Sequence, residues 1–431
     1  MNYIETIEHL YSQLPMYSRI GAAAYKNDLH NTIALCNSIH NPQQQYKIVH
    51  IAGTNGKGST SHMLAAILQA AGYKVGLYTS PHIKDFRERI RVNGIMITEE
   101  AIVNFVALTN TITTQIQPSF FELTVAMAFA YFAAEKVDIA IIETGLGGLL
   151  DSTNIVLPIL SVITNIGYDH QNILGNSLVE IAIQKAGIIK QNVPVVIGEA
   201  IPETKPIFIQ TAMLKNADIF FVKDSYAVQN VQYTPHSLVC EVSEIATCKH
   251  KTYTVGLTGL YQAKNICTVL AVVEQLNNIG VHISPIAVQN GLQQVKQTTG
   301  LRGRWDLLQT NPTLIADVAH NKDGILQVMQ QLTIYYPLAT LHFVLGFVND
   351  KDVLSILQLL PANAHYYFTN AHIPRAMPSA DLASIGSSVQ REGQVYNDVN
   401  MAIAAAKEQA ELTDVIMVCG SFFLIAEIDN F

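Results

Sequence analysis

Charge is scarce in this sequence: Asp, Glu, Lys and Arg together make up 14% of its 431 residues. No run of Lys or Arg occurs and the formal net charge is −8, which excludes an extended surface for nucleic acid or an anionic membrane. The most apolar stretch, Leu123–Ala134, is too short to span a bilayer and is followed by Glu135 and Lys136. The opening MNYIETIEHLYSQ carries acids and lacks the apolar core of a secretory signal. Five cysteines (Cys36, Cys240, Cys248, Cys267 and Cys419) are scattered without a CxxC pair. That pattern argues against a disulfide frame or a zinc site and for reduced thiols in a cytoplasm. Apolar residues are plentiful, at 49%. A chain of this length and composition is expected to fold into two or three soluble domains.

The most informative stretch is Ile48–Thr60, IVHIAGTNGKGST. A short apolar strand runs into a glycine-punctuated turn, and the Ala/Leu-rich segment MLAAILQAAG then reads as a helix ending at Gly72. Strand, glycine loop and helix turn successive backbone N–H groups, and the positive end of the helix dipole, towards an anion. Gly53, Gly56 and Gly58 leave room for phosphate oxygens, Lys57 supplies a point charge, and Ser59 or Thr60 offers a hydroxyl to magnesium. The strict P-loop pattern puts Ser or Thr directly after Gly-Lys. Here Gly58 intervenes, so the motif is a P-loop variant.

Further strands are expected to end at the same edge. YKVGLYTSPH delivers Ser80 and His82, and FRERIRVNG alternates before a turn-forming Asn-Gly. The apolar, β-branched run VDIAIIE reads as a buried parallel strand ending at Glu143, where a magnesium-holding acid would belong. ILSVITNIGYDH repeats the plan and carries Thr164, Asn165, Asp169 and His170. In the amphipathic helix SLVEIAIQKAGIIK, Lys185 stands among Ala, Ile and Gly, and a lysine pointing inward needs a partner or a modification. From Thr204 to Gly256 short alternating strands are expected to form the antiparallel flank of this sheet. A helix follows within Gly256–Leu276, with Tyr261, Gln262 and Asn265 near its start.

KQTTGLRG, within Val295–Gly303, lacks apolar periodicity and marks a domain boundary. Beyond it the strand–helix alternation restarts, with Asp317, His320 and Asn321 at one strand end and Gly420 and Ser421 at another. The expected fold is therefore α/β. A P-loop-containing, doubly wound N-terminal domain (1–297) is followed by a smaller Rossmann-like α/β domain (298–431), and the cleft between them closes over a second substrate.

The motifs HIAGTNGKGST, YTSPHI, FRERIRVNG, IIETGLGGLLDSTNIV, TNIGYDH, EIAIQKAGIIK, GRW, DVAHN and CGSFFL occur in an order that resembles the folylpolyglutamate synthase/dihydrofolate synthase family of the Mur ligase superfamily. The matches run from about residue 48 to 425, while Ser18–Cys36 departs from the family pattern. The resemblance implies ATP-dependent ligation of L-glutamate to dihydropteroate, to the γ-carboxyl of folates, or to both, through an acyl phosphate. It implies that Thr54, Asn55, Gly56, Lys57, Gly58, Ser59, Thr60, Asn265, Arg304 and Asp317 bind the nucleotide. Ser80, Glu143, His170 and a carbamylated Lys185 would hold one or two magnesium ions, with a monovalent cation also in the family's repertoire. His82, Arg89, His320 and Ser421 would bind substrates, and Lys57, Glu143, His170, Lys185 and His320 would serve catalysis. Small molecules would be the only partners of a cytoplasmic monomer. A P-loop switch or motor is the main rival of another class, and it would not need the second domain with its DVAHN and GSFF strand ends.

Overall fold

In a computed structural model, residues 1–16, 21, 26, 28–429 and 431 are described. Of the loop-like insert expected at Ser18–Lys26, all but Gly21 and Lys26 lies outside them. The first sheet takes, in chain order, β1 (Lys47–Ala52), β2 (Val75–Tyr78), β3 (Ile90–Val92), β4 (Ile95–Met96), β5 (Ile139–Glu143), β6 (Leu160–Ile163), β7 (Val195–Ile197) and β8 (Ile219–Phe221). Their spatial order is β4-β3-β2-β5-β1-β6-β7-β8. All neighbours from β2 to β8 are parallel, so β1 lies where the winding reverses and its carboxyl end opens on the ligand crevice.

Alternation along β1 divides the core. Val49 and Ile51 pack under the helices Lys57–Ala70, Gln262–Asn278 and Pro285–Gln293, and Ile48 packs under Phe120–Ala134 on the other face. Ser119 starts the latter helix with a capping box to Glu122, and Thr98 caps the preceding helix, Glu99–Ile116.

The antiparallel flank is not where the sequence pattern put it. Lys205–Leu214 is a helix, β8 joins the main sheet in parallel, and β9 (Tyr226–Tyr233), β10 (Leu238–Glu244) and β11 (Lys249–Val255) form a separate three-stranded sheet. Period-two alternation reports that a strand has one buried face, and says nothing of which sheet it joins. The main sheet's antiparallel flank is instead the hairpin β3–β4, turned at Asn93 and Gly94, both at positive φ.

The boundary segment is itself partly helical (Val295–Thr299), and its Lys296 ion-pairs with Asp306. The second sheet then begins with β12 (Asp306–Thr310) and β13 (Thr313–Ala316), followed by β14 (Leu341–Leu345), β15 (His365–Phe368), β16 (Gly393–Val395) and β17 (Val415–Cys419). Its order is β12-β13-β17-β14-β15-β16, with only β12 antiparallel. Apolar clusters cover both faces of it. Among the described residues no helix is long and apolar enough to cross a membrane.

The helix that carries the P-loop has little room to move. A Cβ at Gly291 would stand 2.5 Å from the Ile67 Cα and 2.6 Å from its backbone nitrogen. Gly291→Ala is therefore expected to cost about 1–3 kcal/mol by overpacking, read as a lower urea midpoint at unchanged slope. An unchanged midpoint would show that the two helices part freely.

Candidate active site

The P-loop is shaped by what touches it. Gly53 (φ 151°) and Gly56 (φ 85°) adopt backbone conformations that L side chains rarely enter. A Cβ on Gly53 would overlap Thr164 Oγ1, one on Gly56 would lie 2.5 Å from Asn265 Oδ1, and one on Gly58 would lie 3.3 Å from Arg304 Nη2. The loop is held from β6: Thr54 N donates to the Asn165 carbonyl (3.0 Å), Asn55 N to Asn165 Oδ1 (2.8 Å), and Gly167 N to Thr54 Oγ1 (2.9 Å). The helix starts at Lys57, a turn and a half before the Met63 that its apolar pattern suggests, and no side chain caps it. Its first-turn N–H groups are thus the groups an anion would use. Ser59 Oγ accepts from Gln262 Nε2 (3.1 Å), Gln262 Oε1 accepts from Asn265 Nδ2 (2.8 Å), and the buried Thr60 hydroxyl has no partner.

Two ammonium groups converge on one carbonyl. Lys57 Nζ donates to Gly53 O (2.9 Å) and Thr54 O (3.1 Å), and Lys185 Nζ donates to the same Gly53 O at 2.8 Å. Burial, then the charge of Lys57, lowers the Lys185 amine to about 7. Parallel pairing sets Glu143 of β5 beside Ile51 of β1, one strand from the loop. Burial raises its carboxyl to about 7 against the pull of Lys57 and Arg304. Gly58, Ser80, Glu143 and Arg304 line one cavity, Arg304 reaching it from beyond the boundary segment.

A second group joins the two sheets. Asp169, after β6, accepts from His320 Nε2 (3.2 Å) and Asn321 Nδ2 (3.2 Å) and pairs with Lys351. Burial opposes its charge, but His320, His170 and Lys351 hold its carboxyl well below the usual range. Asn321 also meets the P-loop, donating to Asn55 Oδ1 at 3.1 Å. His170, at positive φ, faces Asp169 and Asp350, and Asp350 binds Arg375 (2.5 Å). His170 thus takes its contacts in this second group, while Glu143 and Ser80 line the cavity of the first.

Asp317 is committed inside the protein. Its oxygens accept from Tyr261 OH (2.7 Å), Trp305 N (2.8 Å) and Ala319 N (2.8 Å), and burial raises its carboxyl. Ser421 Oγ caps a short helix by accepting from Leu424 N (3.0 Å), and Gly420 N bonds the Ala319 carbonyl, which sets Ser421 near His320. His82 and Arg89 do come together: Arg89 Nε donates to His82 Nδ1 at 2.7 Å, with Phe86 and Phe120 against them. Burial, then Arg89, lowers His82 to about 3.

Sequence reading missed Lys351 and Asp151. Asp151 accepts from the Gly145, Leu146 and Thr153 backbone N–H groups and so folds the glycine loop after Glu143. An Asp eight residues after the end of a buried strand, beyond a glycine-rich loop, was the available signal. Nothing in the sequence marked Lys351, whose partner is 182 residues away.

Two doubly wound sheets meeting over a P-loop are the arrangement of an ATP-dependent Mur ligase. The Mur ligase middle domain matches residues 51–273 and the Mur ligase glutamate ligase domain matches 303–422. Within that class, the chain belongs to the dihydrofolate synthase/folylpolyglutamate synthase family. It is 34% identical over 399 residues to the dihydrofolate synthase/folylpolyglutamate synthase of Bacillus subtilis, covering 90% of each chain. It is 30% identical to the folylpolyglutamate synthase of Lacticaseibacillus casei, over 99% of this chain and 98% of that one. Among solved structures, Mycobacterium tuberculosis folylpolyglutamate synthase complexed with ADP and AMPPCP superimposes with a TM-score of 0.87 at 28% identity, over 99% of this chain and 98% of that one. Escherichia coli FolC in complex with DHPP and ADP does so at 0.84 and 28%, over 99% and 96%.

The depressed amine of Lys185 has a consequence for stability. Between pH 7 and its ordinary 10.5 the unfolded chain holds a proton that the folded chain has lost, so native stability rises with pH across that window. Lys185→Met should therefore stabilise most below pH 7, with the gain shrinking towards pH 10.5, measured as Tm in bicarbonate-free buffer. A pH-independent difference would rule this out.

Proposed function

We propose that the chain catalyses ATP-dependent ligation of L-glutamate to dihydropteroate, to the γ-carboxyl of (tetrahydro)folate polyglutamates, or to both, releasing ADP and phosphate. The observation that carries this reading is the meeting of Gly58, Glu143 and Arg304, where a P-loop, a buried acid and a cation from the segment leading into the second sheet converge. A carboxylate is a poor acylating agent until its oxygen attacks the γ-phosphate to give an acyl phosphate. The glutamate amine then displaces phosphate through a tetrahedral intermediate. No enzyme nucleophile is needed, so the protein's work is positioning and charge stabilisation.

In this scheme Lys57 leaves the Gly53 and Thr54 carbonyls for the β/γ-phosphates, Arg304 meets charge developing at the transferred group, and Asn265 borders the nucleotide beside Gly56. Asp317 acts by holding Tyr261 and the Trp305 and Ala319 backbone. His320 and Ser421 face the incoming glutamate, and His82 and Arg89 the acceptor. The division of labour follows units 1–297 and 298–431, in a cytoplasmic monomer acting on small molecules.

Among the described residues no three His, Cys, Asp or Glu side chains form a metal cluster. Magnesium, however, commonly binds one or two carboxylates plus hydroxyls, phosphate and water. Glu143 and Ser80, which line one cavity, fit that donor set. When bound there, the ion would neutralise phosphate charge. An amine near pH 7 is also the form of Lys185 that can be carbamylated, and the carbamate would turn it into an oxygen donor beside His170's group.

The test is phosphate release with ATP, magnesium and L-glutamate, offering 7,8-dihydropteroate or tetrahydrofolate. Stimulation by either supports the reading, and stimulation by neither removes it. Because Glu143 sits near 7 without a cation, the magnesium requirement should rise about tenfold per pH unit below pH 7. Glu143→Gln should abolish phosphate release while leaving acceptor binding measurable. A magnesium requirement that stays flat with pH would take Glu143 out of the ion's coordination.

A further inference from the structure

The cavity that holds Glu143, Ser80 and Arg304 is also lined by two side chains that the scheme above does not use, His62 and Arg91. His62, on the second turn of the P-loop helix, is 5% exposed and its Nδ1 has no hydrogen-bond partner. Arg91, on β3, donates from Nη1 to the Gly94 carbonyl (3.2 Å), but its buried Nε has no partner. Other charges on this wall are already met. Glu88 accepts from the backbone N–H groups of Ile83 (2.8 Å), Lys84 (3.0 Å) and Asp85 (3.0 Å), and Arg302 and Arg304 lie over the rings of Phe431 and Phe422. Beside Arg91 and Arg304, His62 adds a hydrogen-bonding edge to a cationic corner. A guanidinium Nε and an imidazole Nδ1, both buried and without partners, leave a hydrogen-bonding debt that an anion would settle.

We propose that this corner binds the α-carboxylate of the terminal glutamyl residue of a folate acceptor, with Arg91 as its chief partner and His62 beside it. The assignment rests on the ligation reading given above. A glutamyl residue whose γ-carboxyl is activated at the Glu143 end carries its α-carboxyl carbon four bonds away, about 5 Å. Arg91, His62 and Glu143 line the one cavity. Dihydropteroate ends in an aromatic carboxylate and has no second acid to place there. Arg91 and His62 thereby separate the two acceptors, binding the one and ignoring the other.

The experiment compares kcat/KM for tetrahydrofolate, its α-carboxamide and 7,8-dihydropteroate at saturating ATP, magnesium and L-glutamate. The wild-type enzyme should prefer the free acid over the α-carboxamide by about tenfold or more. Arg91→Met should erase that preference and lower kcat/KM for tetrahydrofolate about 10- to 100-fold relative to dihydropteroate, mainly through KM. Arg91→Lys should restore part of it, and His62→Leu should cost less than Arg91→Met. Equal losses on both acceptors would make Arg91 merely structural and overturn the proposal. So would a wild-type enzyme indifferent to the amide, a comparison that needs no variant to fold, or one that accepts dihydropteroate alone. Turnover of neither acceptor would instead remove the ligation reading itself, and this proposal with it.

Discussion

The Gly53 carbonyl is the point on which the rest of the site depends. It accepts from both Lys57 and Lys185, so two ammonium groups are drawn to one buried oxygen at the end of the central strand. Burial, and then the repulsion of like charges this close in a low-dielectric interior, depress the amine of Lys185. Glu143 does not cancel them, because its own burial favours the neutral acid. The loop is thus left with unspent positive charge and uncapped helix N–H groups, which suits a polyphosphate far better than an empty turn.

That concentration of charge is possible because the surrounding fold is rigid and apolar. Parallel pairing of β1 with β5 and β6 leaves no freedom in where Glu143, Thr164 and Asn165 emerge. The helix behind the loop is packed against Gly291 at backbone contact distance. With few charges in the chain as a whole, those present inside weigh heavily. Two groups of them, the P-loop cavity and the Asp169 group, include residues from beyond the boundary segment. Asn321, which caps a helix of the second sheet while bonding Asn55, ties the P-loop to that sheet directly.

Much of this was legible in the sequence. Apolar runs of four to six residues ending in polar letters marked β1, β5, β6, β13 and β17, because a strand buried on both faces has no other way to read. Glycine spacing announced the loop, since only glycine tolerates Asn265 and Thr164 at such close range. Two strands escaped notice: β12, whose exposed face dilutes its pattern, and β16, which is three residues long and exposed throughout.

By itself the sequence determined the class of fold, the phosphate-binding turn and the acids that follow it, because each is encoded by local order: period, glycine position, strand end. Partnership was decided by the tertiary structure alone. That Lys185 shares an acceptor with Lys57, that Asp169 meets Lys351, that Arg91 and His62 line one cavity with Glu143, and that β9–β11 stand apart from the main sheet all depend on contacts between residues distant in the chain. Local propensity carries no record of such contacts. They are set by strand register and by which apolar faces bury one another, and these are fixed only when the whole chain packs.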